Sequence, residues 1–239
     1  MESMFLLVPV MFVAVPLLMI GLVVYAVVSS KRRREGLTAY AGSRGFTFRP
    51  DGDHLVDRFP GDPFGRGYRR SGSQVVEGVH EGRHFVAFDY SYKTSGGSRD
   101  RDSTSSFSVV AMNLGCRIPR LQVRPQSAIG RLFADSFGTD YRIGDQAFDD
   151  AFHIATDSPE LAHDVLHPGM RHLLLATRGR VVRFQDDSLL MFRSGHHSPE
   201  EIDAVLALMA QVLRTVPDHV WTRLRGEAPI SDAPTWDAP

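Results

Sequence analysis

The run HDVLHPGMRH holds the densest set of chemically capable side chains, with His163, Asp164, His167 and His172 inside ten positions. His163 and His167 are four residues apart, so one helical face can present both imidazoles to a metal ion. The zinc-hydrolase pattern H-E-x-x-H is not met: residue 164 is Asp, and Pro168 breaks the helix directly after the second histidine. His163 and His167 therefore stand as candidate metal ligands, with His196 and His197 as a second source of imidazoles. The competing reading is a set of surface or partly packed histidines beside a helix break. Carboxylates cluster at Asp51 and Asp53, at Asp145, Asp149 and Asp150, and at Asp186 and Asp187. A catalytic pair needs a defined separation and environments that split its pKa values. Turn and cap duty is the simpler expectation for all of them.

Other chemistries lack their signatures. Cys116 is the lone cysteine, so an intrachain disulfide and a multi-cysteine metal site are both excluded. The glycine-rich FPGDPFGRGYRRSGS has neither the G-x-x-x-x-G-K-[ST] spacing nor a strand-to-helix context, and reads as an irregular connection. There is no G-x-S-x-G elbow, kinase signature or dinucleotide fingerprint, and no cofactor is implied.

The element that must position everything else is Phe5 to Val28, 24 residues without a charge. At about 1.5 Å per residue it reaches roughly 36 Å, enough to cross a hydrocarbon core of about 30 Å with some tilt. Lys31, Arg32, Arg33 and Arg34 follow it, whereas the leading MESM has no cationic side chain. A cleaved leader has the reverse arrangement and a shorter apolar core. The positive-inside bias puts the N-terminus outside and residues 31–239 in the cytoplasm of a single-pass membrane protein. The bilayer is the first expected partner, and Lys31, Arg32, Arg33 and Arg34 are candidate contacts for anionic lipid headgroups. Residues 36–239 carry 23 cations against 26 acids, a net charge of −3, which argues against a nucleic-acid partner.

Beyond the anchor the pattern predicts an α+β domain with one largely antiparallel sheet and helices packed on it. The boundaries are a 1–30 transmembrane anchor, a 31–45 juxtamembrane helix, a 46–223 cytoplasmic domain and a disordered tail over 224–239. Leu37, Tyr40 and Ala41 share one face of the first helix. Strands are expected over Gln74–His80, Arg83–Tyr92 and Ser106–Leu114, then short ones near Leu121–Val123, Tyr141–Ile143 and Ala151–Ala155. In Arg83–Tyr92, Val86, Phe88, Tyr90 and Tyr92 form one face, with Phe85 and Ala87 on the other. Ser127–Phe137 reads as an amphipathic helix, and Arg180–Phe184 and Ser188–Phe192 read as a hairpin around Gln185-Asp186-Asp187. Helices open at Ser158-Pro159 and at Ser198-Pro199, the second with Glu201 spaced for a capping box.

The stretches FVAFDYSY, FSVVAMNL, FHIATDSPELAHDVLHPGMRHLL and HSPEEIDAVLALMAQVL together resemble uncharacterised bacterial single-pass membrane-anchored proteins with a cytoplasmic domain of unknown function. The resemblance covers most of residues 31–223 and implies a helix leaving the membrane, then an antiparallel α+β domain. It implies no activity, cofactor or catalytic residue. The functional expectation is a membrane-tethered binding or scaffolding module for a protein partner not named by the sequence. The alternative is a metal-assisted hydrolase using the His163/His167 region.

Overall fold

The computed structural model describes residues 28–96, 102–126, 139–176 and 179–227, together with Met19 and Gly21. The expected span 5–28 falls almost wholly outside the described residues, and the expected helix over 127–137 and the tail beyond 227 fall outside them altogether. Among the described residues no helix is long and apolar enough to cross a membrane.

The period-two strands and period-3.6 helices assemble as an α+β domain built on one antiparallel sheet. Helix α1 spans residues 28–44. It leads into β1 (Thr47–Asp51), a short 3-10 turn (Asp53–Leu55), β2 (Tyr68–His80), β3 (Arg83–Thr94) and β4 (Ser103–Pro125). Then follow β5 (Thr139–Tyr141), α2 (Gln146–Ala151), β6 (Phe152–Thr156), α3 (Pro159–Val165), α4 (Pro168–Ala176), β7 (Val181–Ser194), α5 (Pro199–Thr215) and α6 (Asp218–Glu227). The sheet order is β1-β2-β3-β4-β6-β5, with β7 also paired to β4. β4 is the long spine. β3 and β6 pair with its first and second halves, and β7 runs antiparallel along both.

Two expectations fail along that spine. Ser106–Leu114 and Leu121–Val123 are one 23-residue strand. The hairpin expected at Gln185-Asp186-Asp187 is absent, and β7 is continuous through those residues. Both errors share a cause. β4 is bulged between Asn113 and Ile118, and Asp186, at φ 53°, faces Ile118 across the ladder. Turn-forming residues are absorbed as an irregularity matched on both strands, so neither chain reverses. Asn113 Oδ1 accepts from Gly115 N at 2.7 Å. The carbonyls of Asn113 and Leu114 accept from Arg83 Nη1 at 3.2 and 2.9 Å, which satisfies groups the bulge removes from the ladder.

Alternation in β3 divides the core into two layers. Phe85 and Ala87 face the helices together with Val110, Met112, Leu121, Val123 and Met191. The α5 stripe of Ile202, Val205, Leu206, Met209, Val212 and Leu213 closes on them. Six such side chains contribute on the order of 10 kcal/mol of transfer free energy. Val86, Phe88, Tyr90 and Tyr92 face the other way, toward Phe107, Val109, Leu190 and Phe192. The irregular stretch 52–67 covers that second face with Leu55, Val56, Phe59 and Phe64. Arg183, 2% exposed, holds this cover down. It donates to Pro60 O at 3.0 Å, to Asp62 O and to Gln122 Oε1 at 2.7 Å, and its guanidinium lies 5.0 Å from the Phe192 ring centroid.

The expected boundary between domain and tail, at residue 223, falls inside helix α6. Val220, Trp221 and Leu224 are buried on it, so the folded domain extends past residue 223 to Glu227. Helix α1 likewise belongs to the core, because Leu37, Tyr40 and Ala41 are buried in the helix-side layer.

Candidate functional site

Alternation carries one acid into the helix-side layer. Asp89 follows Phe85 and Ala87 in phase, and its side chain is 5% exposed. Its cross-strand neighbours are Ser73 and Ser108, and Ser108 in turn faces Arg193 on β7. The polar strip crosses one end of the sheet beneath α1 and the loop before α5.

The carboxylate is met from two elements. Arg33 on α1 pairs with Oδ2 through Nη2 and donates from Nε to His197 O at 3.0 Å. His196 Nδ1 lies 3.1 Å from the same Oδ2. His197 N donates to Oδ1 at 3.3 Å, and the His197 Nδ1 atom is 3.0 Å from Oδ1. On its other side His197 Nε2 lies 3.1 Å from Gln74 O. Both ring nitrogens of this fully buried histidine therefore lie beside oxygens. Gln74 presents its carbonyl from a left-handed conformation, φ 54°, inside the β2 bulge between Ser73 and Val76. Burial by itself raises the pKa of Asp89. His197 and then Arg33 outweigh it and hold the carboxyl below its ordinary value.

A second ion group lies beside the first. Glu201, in the first turn of α5, takes both Arg193 Nε at 2.6 Å and Nη2 at 2.5 Å, and also pairs with Arg180. Burial raises the Glu201 pKa, and hydrogen bonds from Arg193 and Arg180 bring it below the usual carboxylate range. The expected capping box is therefore half formed. Ser198 Oγ accepts from Glu201 N at 3.3 Å, but the Glu201 side chain is committed to the arginines. Tyr40 and Arg44 extend the attachment of α1, reaching Asp203 at 2.7 and 2.5 Å.

The arrangement is a clasp. One buried anion is paired with a cation from α1 and met by two histidines from the loop that opens α5. His196, 55% exposed, has the carboxylate partner of a general base. Among the described residues it has no hydrogen bond to a serine, threonine or cysteine. Cys116 lies elsewhere, fully buried, and burial pushes its thiol pKa up, so it is not an activated nucleophile.

The residues singled out by spacing go separate ways. His163 is exposed, and His167 is half-buried with Nε2 2.9 Å from Thr215 O. Asp164 pairs with Arg223 at 2.9 Å, and His172 is exposed. Among the described residues no group of three or more histidine, cysteine or acidic side chains is placed to hold a metal ion. Of the basic run, Lys31, Arg32 and Arg34 are exposed, while Arg33 turns inward to Asp89. The aspartate clusters perform local duty: Asp145 caps α2 and pairs with Arg171, and Asp149 accepts from Ile143 N and Gly144 N. Asp187 pairs with Arg58 at 3.1 Å.

The clasp was missed, yet two signals for it exist. Asp89 occupies an inward position of an otherwise apolar face, and Arg33 precedes Leu37 by four, on the buried stripe of α1.

With this geometry in place, comparison with known proteins adds one fold relationship. No family model matches the chain, and neither does any curated protein. The fold is similar to that of the mycobacterial trehalose monomycolate transport factor A, TtfA. The TM-score is 0.55, with 14% identity, over 78% of this chain and 95% of that one. At that identity the likeness speaks to architecture.

Proposed function

We propose that this chain is a membrane-tethered binding or scaffolding module that acts beside a membrane-transport machine through its folded domain. The observation that carries the reading is the fold shared with TtfA, named as a transport factor, across nearly the whole of that chain. The clasp supports it from within. Arg33 fixes α1, the helix that follows the apolar stretch in sequence, to the sheet. Three exposed cations, Lys31, Arg32 and Arg34, lie where that helix would leave a bilayer, and suit anionic headgroups. The 5–28 stretch then serves as a single span with the C-terminal domain in the cytoplasm.

Topology and binding are tested separately. Green fluorescent protein and alkaline phosphatase, each fused to the C-terminus of the full chain, report the side on which the domain lies. Fluorescence without phosphatase activity is expected, and the opposite pattern overturns the orientation. A photocrosslinking side chain at exposed Arg32 or Arg34 should give a discrete adduct with an integral membrane transporter, identified by mass spectrometry. Adducts with lipid alone would overturn the scaffolding role.

A further inference from the structure

A cleft of about 210 Å³ lies where the β2–β3 turn meets the last turns of α5, away from the clasp. One side is apolar, formed by Met112, Ala210 and Leu213, all buried in the fold. The other is polar, formed by His80, Glu81, Arg83 and Arg214.

Two features of this lining call for an anion. Arg83 is half-buried, and it donates to two main-chain carbonyls, Asn113 O and Leu114 O. Among the described residues no carboxylate lies within ion-pair distance of it. Burial and then Arg225 lower its pKa, so a second cation already acts at the same end of the domain. Glu81 does not neutralise the cleft. It pairs with Arg214 at 2.6 Å, and both side chains are more than half exposed, so that pair is weak and can be displaced.

We propose that this cleft is a binding site for a small organic carboxylate bearing a short apolar chain. Its volume equals about seven water-sized volumes, which suits a molecule of similar heavy-atom count. Arg83, held in place by two carbonyls, presents a preorganised guanidinium to the carboxylate. Arg214 closes over it from α5. The chain lies on Met112, Ala210 and Leu213. Inorganic phosphate would meet the same cations but leave that apolar side unfilled, so the cleft favours the carboxylate. This inference is independent of the scaffolding role.

Trp221 reports on the site, because its ring lies 5.9 Å from the Arg83 guanidinium. The full chain in detergent, carrying Trp236→Phe, is titrated with hexanoate, hexanamide and inorganic phosphate while Trp221 emission is followed. Hexanoate should give a saturable change, with hexanamide and phosphate at least tenfold weaker. Arg214→Gln, at an exposed position, should weaken hexanoate several-fold while the melting temperature stays within about 2 °C. Arg83→Gln should abolish the response. If Arg83→Gln unfolds the chain, the Arg214→Gln result decides. Equal responses to hexanoate and hexanamide, phosphate binding as tightly as hexanoate, or a hexanoate response unchanged in Arg214→Gln would each overturn the proposal.

Discussion

Replacing Asp89 with alanine removes the carboxylate that pairs with Arg33 and that the two histidines face. The carboxylate is 5% exposed, Arg33 is 29% exposed and the His197 ring is 0% exposed. Breaking a buried ion pair by deleting one partner costs about 3–5 kcal/mol, and the partial exposure of Arg33 moves the expectation to the lower end, roughly 3 kcal/mol. For a domain of this size each kcal/mol shifts the melting temperature by about 2–4 °C, so Asp89→Ala should melt roughly 6–12 °C lower. Thermal unfolding of the full chain in detergent, followed by circular dichroism, measures the shift. A double-mutant cycle with Arg33→Ala then isolates the pair, with an expected coupling of about 1–2 kcal/mol. The pH sign follows from the direction of the Asp89 shift. Its folded pKa lies below the unfolded carboxylate value of about 4, so its contribution is present above that value and is lost as pH falls through the folded one. Asp89→Ala should therefore flatten the acid limb of the stability profile. A melting temperature within 2 °C of the parent, with zero coupling to Arg33, would refute the clasp.

Arg183→Met leaves Pro60 O, Asp62 O and Gln122 Oε1 without their donor. It should destabilise the domain by roughly 2–4 kcal/mol, read as a lower urea midpoint, with the 52–67 cover becoming protease-sensitive first. Burial, with Arg120 next, pulls the Arg183 pKa down to about 9, which still leaves it charged at neutral pH. Gly67→Ala should cost more than about 2 kcal/mol by the same assay. Residue 67 sits at φ 64°, and an added Cβ would come within 2.2 Å of Lys93 O and 2.7 Å of the Tyr92 ring.

Local periodicity carried much of this protein into view. The β3 alternation gave both faces of a central strand, the α5 stripe gave a helix on the sheet, and Leu37, Tyr40 and Ala41 gave the buried side of α1. These are short-range properties of the chain, because side-chain direction follows from backbone repeat alone. His163 and His167 are near each other in sequence, yet the fold leaves one exposed and sets the Nε2 of the other against the Thr215 carbonyl. The clasp joins residues 33, 89, 196 and 197, separations that only strand pairing and the docking of α1 could close. The same holds for the β4–β7 spine. Asp186 reads as a turn residue in isolation, and becomes a bulge because β4 supplies a matching irregularity and a ladder that β7 can follow. Sequence determined which faces would be buried. Tertiary structure decided which charges would meet there, because a buried charge is tolerated only where the fold brings an opposite one to it.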